Sequence, residues 1–101
     1  MRNFRTYDLA VELYRQAQKL CLPRVLRDQL DRASLSVVLN LAEGDGRGTR
    51  PDRRRFFQMA MGSLRETMAI LELANEAPTE MKALADCVGA HLYKLIKYQG
   101  R

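Results

Sequence analysis

The sequence predicts an all-α fold: one domain over residues 1–101, arranged as an up-down-up-down antiparallel four-helix bundle. Three observations lead there. Apolar residues recur at three- and four-residue spacing in four consecutive stretches. Proline or glycine stands at each junction, at Pro23, at Gly44 to Gly48 and at Pro78. No stretch alternates apolar and polar residues with the period of two that a half-buried strand needs. The junctions are a few residues long, so consecutive helices are expected side by side and opposite in direction. With 47% hydrophobic and 29% charged residues the chain lies outside the disordered class, and no apolar run approaches a membrane span.

The first helix is expected over about 7–21, on a stripe of Ala10, Leu13, Ala17 and Leu20 widened by Leu9, Tyr14 and Cys21; Pro23 ends it. Asp8, Glu12 and Arg15 interrupt the opening stretch before it could serve as a signal-peptide core, so a cytoplasmic location is expected. Cys21 and Cys87, the two cysteines, both fall in predicted helices and are expected as packed, reduced thiols. The second helix, about 24–43, carries Leu26, Leu30, Ala33, Val37 and Leu41, with Gly44 as a left-handed C-cap. The third, about 50–76, opens with Thr49 as N-cap, Pro51 in the first turn and Asp52 at the positive helix end. The fourth, about 79–98, follows Pro78 on a stripe of Met81, Leu84, Ala85, Val88, Leu92, Leu95 and Ile96, slightly weakened by Gly89.

Helical-wheel placement at about 100° per residue puts Gln29, Arg32, Ser36, Asn40 and Glu43 on one polar stripe of the second helix. Apolar residues flank it on both sides, Leu30, Ala33, Val37 and Leu41 on one and Leu35 and Leu39 on the other. The third helix repeats the pattern: Phe57, Ala60, Leu64 and Leu71 share one direction, while Met59, Ile70 and Leu73 point away from it. So wide an apolar arc in a chain this small implies burial by a partner, and self-association through Leu35, Leu39, Met59, Ile70 and Leu73 is expected. Arg32, Ser36, Asn40 and Glu43, joined by Glu66 from the facing helix where Gly62 and Ser63 permit close approach, are expected as a structural polar network that sets register.

Charge is concentrated at the turn between the second and third helices. From Asp45 to Arg55, five arginines (Arg47, Arg50, Arg53, Arg54 and Arg55) against Asp45 and Asp52 supply +3 of the chain's +5. A guanidinium donates two parallel hydrogen bonds to phosphate and stays charged, and the free amides of a helix start favour anions as well. Phosphate contact is expected to rest mainly on Arg50, Arg53 and Arg54; the competing reading makes the arginines structural, with Arg32 and Arg47 pairing Glu43 or Asp45. Tyr93, Lys94, Lys97 and Tyr98 are a candidate second basic surface, although the aromatics follow helical spacing and fit core or interface use better than base stacking.

Other chemistry is not supported. Cys87 and His91 share a helix face, but the only other cysteine is Cys21 and no Glu-x-x-His pair is present, so no metal or other cofactor is expected. Gly44, Gly46 and Gly48 alternate without the lysine of a P-loop or a preceding strand. Asn40, Glu43 and Glu66 suit a register-setting role better than catalysis, so no catalytic residue is assigned and the protein is read as not an enzyme.

Three motifs carry a resemblance. The pattern Q-L-x-R-A-x-x-S-V at Gln29 to Val37, N-x-A-E-G-x-G-R at Asn40 to Arg47 and R-F-F-x-x-A-x-G-S-L-x-E at Arg55 to Glu66 resembles the bacterial four-helix-bundle proteins encoded in intervening sequences of 23S ribosomal RNA genes. The opening FRTYDLAVELYRQAQKL is similar to that family's first helix, while the loop around Leu22 to Val25 is shorter than the family's. The resemblance implies a cyclic homopentamer, no enzymatic activity, and likeness to the accessory proteins of diversity-generating retroelements, which pair with a reverse transcriptase and bind nucleic acid. Two functions follow: an oligomer that binds structured RNA or RNA/DNA by backbone charge, or a scaffold that docks a partner such as a reverse transcriptase.

Overall fold

The amphipathic stretches fold as four helices, with no strand among the described residues: α1 (Arg5–Gln18), α2 (Arg24–Asp45), α3 (Arg50–Ala74) and α4 (Thr79–Gln99). The computed structural model describes residues 4–75 and 77–99. The predicted last residue of the third helix, Glu76, lies outside them. Helix α1 packs on α2 and α4, and α3 packs on the same two, so each helix has two neighbours and all four share one core. The fully buried Leu13, Leu30, Leu41, Leu64, Leu71 and Leu92 fill it, each contributing roughly 1.5–3 kcal/mol by leaving water. Ser34 is buried too, its hydroxyl donating to the Leu30 carbonyl at 2.7 Å.

Helix α1 starts two residues earlier than the stripe suggests and stops at Gln18, three residues short of Cys21. Arg27 of α2 is the reason for the early stop. Its Nη2 donates to the Ala17 carbonyl at 2.9 Å and its Nη1 to the Leu20 carbonyl at 2.7 Å, so carbonyls at the helix end find donors without further helix. Asp31 holds the guanidinium in place, accepting from Nη2 at 2.7 Å and Nε at 3.1 Å. Cys21 therefore lies past the helix and is exposed rather than packed, while Cys87 is half-buried; both are free thiols.

Helix α2 runs past its expected end. Gly44 is not a left-handed cap: it is buried inside the helix, and no described glycine has a positive φ. What Gly44 provides is space, because a Cβ there would stand 2.7 Å from Cε1 and 2.9 Å from Cδ1 of Phe57. The left-handed cap occurs at the end of α3 instead, at Asn75 with φ 56°, a conformation asparagine tolerates better than most residues. At the other end of α3 the Thr49 hydroxyl accepts from the Asp52 amide at 3.3 Å, with Pro51 in the first turn.

Candidate nucleic-acid interface

The Asp45–Arg55 turn sorts its five arginines into two groups. Arg47 and Arg53 are half-buried and spent on the fold, whereas Arg50, Arg54 and Arg55 are exposed. Arg47 pairs with Glu43 at 2.8 Å and Asp52 at 3.7 Å, and its guanidinium lies over the Phe56 ring at 4.6 Å. Arg53 donates from Nη1 to the Arg47 carbonyl at 2.9 Å and from Nε to Gln99 Oε1 at 3.1 Å, tying the turn to the end of α4. Arg53, expected among the arginines that reach phosphate, is half-buried and commits two of its five donors to the fold.

Arg55 stacks on the Phe56 ring at 4.4 Å, and its Nη2 donates to Asp52 at 3.0 Å. Phe56 is therefore a shared platform for two guanidiniums, Arg47 and Arg55, which fixes their stems without consuming all their donors. Arg50 lies over the Tyr98 ring at 5.0 Å. Arg54 is exposed and makes no ion pair or side-chain hydrogen bond among the described residues. The exposed three thus stand within the first two turns of α3, at the positive end of its dipole. Phe56, Tyr98 and Gln99 were not singled out as parts of this corner by the sequence; the Tyr98 and Gln99 contributions come from the far end of the chain.

The expected polar network assembles only in part. Ser36 Oγ and Ser63 Oγ meet at 2.7 Å across α2 and α3, and Asn40 Nδ2 donates to the Ser36 carbonyl at 2.9 Å and hydroxyl at 3.0 Å. Arg32, Glu43 and Glu66 are exposed and do not join it; Glu43 turns to Arg47, and neither Arg32 nor Glu66 has an ion-pair partner among the described residues. Gly62 faces open space rather than a neighbouring helix.

Four of the five residues expected at an oligomer interface are exposed: Leu35 at 39%, Leu39 at 57%, Met59 at 47% and Leu73 at 73%. Ile70 is not; at 8% exposure it belongs to the bundle core. A helix with neighbours on two sides buries a wider arc than a single stripe, and the position that looks outward on an isolated wheel is covered. Val25, at 74% exposure, completes a pattern. Val25, Arg32 and Leu39 on α2, like Met59, Glu66 and Leu73 on α3, recur every seven residues as apolar, charged, apolar, with opposite charges on the two helices.

Cys87 and His91 are also joined locally, His91 Nδ1 donating to the Cys87 carbonyl at 2.9 Å. No group of three or more metal-ligating side chains occurs among the described residues. No described helix is long and apolar enough to cross a membrane.

Residues 4–96 match the family described as 23S rRNA-intervening sequence protein. The chain belongs to that family. The match runs from the residue before α1 to residue 96, so it takes in the first three helices and all but the last three residues of α4. The resemblance carried by the Gln29, Asn40 and Arg55 motifs is borne out at family level. A search of curated proteins returns no match.

Proposed function

We propose that this protein is a non-enzymatic, cytoplasmic, up-down-up-down four-helix bundle that assembles as a cyclic homo-oligomer, a homopentamer by family resemblance, and holds nucleic acid through its α2–α3 corner. Structured RNA or RNA/DNA is the ligand. The observation that carries the reading is the group of three exposed arginines, Arg50, Arg54 and Arg55, at the start of α3, set on a frame built by Arg47, Arg53, Phe56 and Tyr98. Such a cluster contacts phosphates and not base edges.

The heptad-spaced faces support the assembly. Setting α2 of one copy against α3 of the next places apolar residues on apolar residues and Arg32 beside Glu66, two charges with no ion-pair partner among the described residues. Repeated head-to-tail, with each α2 on the α3 of the next copy, this pairing is of the kind that can close into a ring. Several copies around one axis concentrate the arginine corners and raise the local field felt by a polyanion.

The test is retention of labelled RNA on a filter over a salt series. The parent is expected to lose affinity steeply as salt rises, with a slope near −0.9 per phosphate neutralised on duplex nucleic acid. Replacing Arg50, Arg54 and Arg55 by Glu is expected to abolish retention while the circular dichroism and sedimentation stay as in the parent. Unchanged retention removes the corner as the site. The exposed apolar face also favours a second reading, in which it docks another protein such as a reverse transcriptase; capture of that partner unaffected by nuclease and by the arginine changes would select it.

A further inference from the structure

A second surface combines cations with an aromatic ring and lies apart from the arginine frame. Between α3 and α4 runs a shallow groove of about 360 Å³ lined by Gln58, Met61, Arg65, Tyr93 and Ile96. Met61 and Ile96 are partly buried against the core and form an apolar floor. Tyr93 stands at its edge with 62% of its surface exposed, an unusual amount for a ring this large with no packing partner above it.

The charges around the groove share one sign. Along α3, Arg54, Gln58, Met61 and Arg65 fall at i, i+4, i+7 and i+11, one line down the helix. On α4, Lys97 follows Tyr93 by one turn. Arg54, Arg65 and Lys97 are exposed, and none of them enters an ion pair or side-chain hydrogen bond among the described residues. The seam's carboxylates Glu72 and Asp86 line a separate depression, with Lys82. From Arg54 to Arg65 the rise of an α-helix gives about 16 Å, room for a few nucleotides.

We propose that this groove is a binding site for single-stranded nucleic acid, in which an unpaired base stacks on Tyr93 above Met61 and Ile96 while its backbone phosphates lie along Arg54, Arg65 and Lys97. A ring beside unpaired cations is the combination that single strands recognise, since every unpaired base offers a flat face and every linkage a charge. A duplex keeps those faces stacked on one another and gains nothing from Tyr93. The inference rests on the proposed function in that both require a polyanion, but it adds the strand state and a set of residues that shares only Arg54 with the corner.

The experiment measures anisotropy of a labelled short oligouridylate and of a blunt RNA duplex of equal length, titrated with the full chain. Tyr93→Ala is expected to weaken oligouridylate binding roughly tenfold, within the range one stacked base contributes, and to leave duplex binding as in the parent. Tyr93→Phe keeps the ring and is expected to keep the affinity. The chain has no tryptophan, so Tyr93→Trp supplies a single reporter whose emission is expected to be quenched by oligouridylate and not by the duplex. Oligouridylate binding by Tyr93→Ala equal to the parent's, or an unquenched Tyr93→Trp at saturation, overturns the groove. Arg50→Glu with Arg55→Glu in the same titrations reports on the corner alone: loss of duplex binding there, with an unaffected Tyr93→Ala, leaves the corner standing and the groove refuted. A parent that binds neither ligand refutes both.

Discussion

Replacing Gly44 by alanine and, separately, Gly62 by alanine makes the same chemical change in two helices and is expected to give opposite signs. In an open helix interior, Gly→Ala stabilises by up to about 1 kcal/mol. Gly62 meets that condition, with nothing within 4 Å of an added Cβ, and Gly62→Ala is expected to gain about 0.5–1 kcal/mol. At Gly44 the added carbon would stand 2.7 and 2.9 Å from the Phe57 ring and 3.1 Å from Phe56 Cβ. Phe57 is 2% exposed and cannot swing into solvent. Overpacking of that kind costs about 1–3 kcal/mol, and Gly44 lies next to the last residue of α2, where the propensity gain is reduced. The net expectation is a loss of about 1–2 kcal/mol, which separates the two variants by about 10 °C in melting temperature for a domain of this size. Thermal and urea melts at one fixed protein concentration measure it, the concentration being held because any self-association shifts apparent stability. Adding Phe57→Leu to Gly44→Ala is expected to recover part of the loss by removing the clashing ring atoms. If Gly44→Ala proves as stable as Gly62→Ala, the close approach of α3 to Gly44 is wrong, and with it the reason α2 carries a glycine inside its last turn.

Arg27→Met keeps the apolar stem but removes the donors that serve Ala17, Leu20 and Asp31, and is expected to cost about 2 kcal/mol in urea titrations; a loss below about 0.5 kcal/mol would show that the junction needs no such clamp. Leu39→Glu combined with Met59→Glu places carboxylates on both exposed apolar faces, where burying each parent side chain in an assembly is worth roughly 1 kcal/mol. Sedimentation velocity is expected to show the double variant as a folded single subunit and the parent as a larger species, and identical sedimentation of the two would remove these faces from any interface.

The four helices could be read from the chain because their signals are local. Stripe periodicity, Pro23, Pro78, and the Thr49–Pro51–Asp52 start of α3 act within a turn of where they stand, and they placed most helix boundaries within two residues. Misplaced features depended on distant neighbours. The end of α1 is set by Arg27, ten residues beyond Ala17. Gly44 looks like a helix stop by its type, but its neighbour Phe57 makes it a packing residue. Ile70 looks outward on an isolated wheel and is covered because α3 has two neighbours.

The arginine cluster shows the division most clearly. Its charge and position were settled by the sequence alone, since counting five arginines against two aspartates needs no coordinates. Which guanidiniums reach solvent is decided by how α3 is rotated against α2 and α4: Arg53 turns toward Gln99 and the Arg47 carbonyl, while Arg54, the next residue and about 100° around the helix, faces out. Local chemistry is encoded residue by residue, whereas burial is a property of the pair of surfaces that meet, and only the packed helices specify that pair.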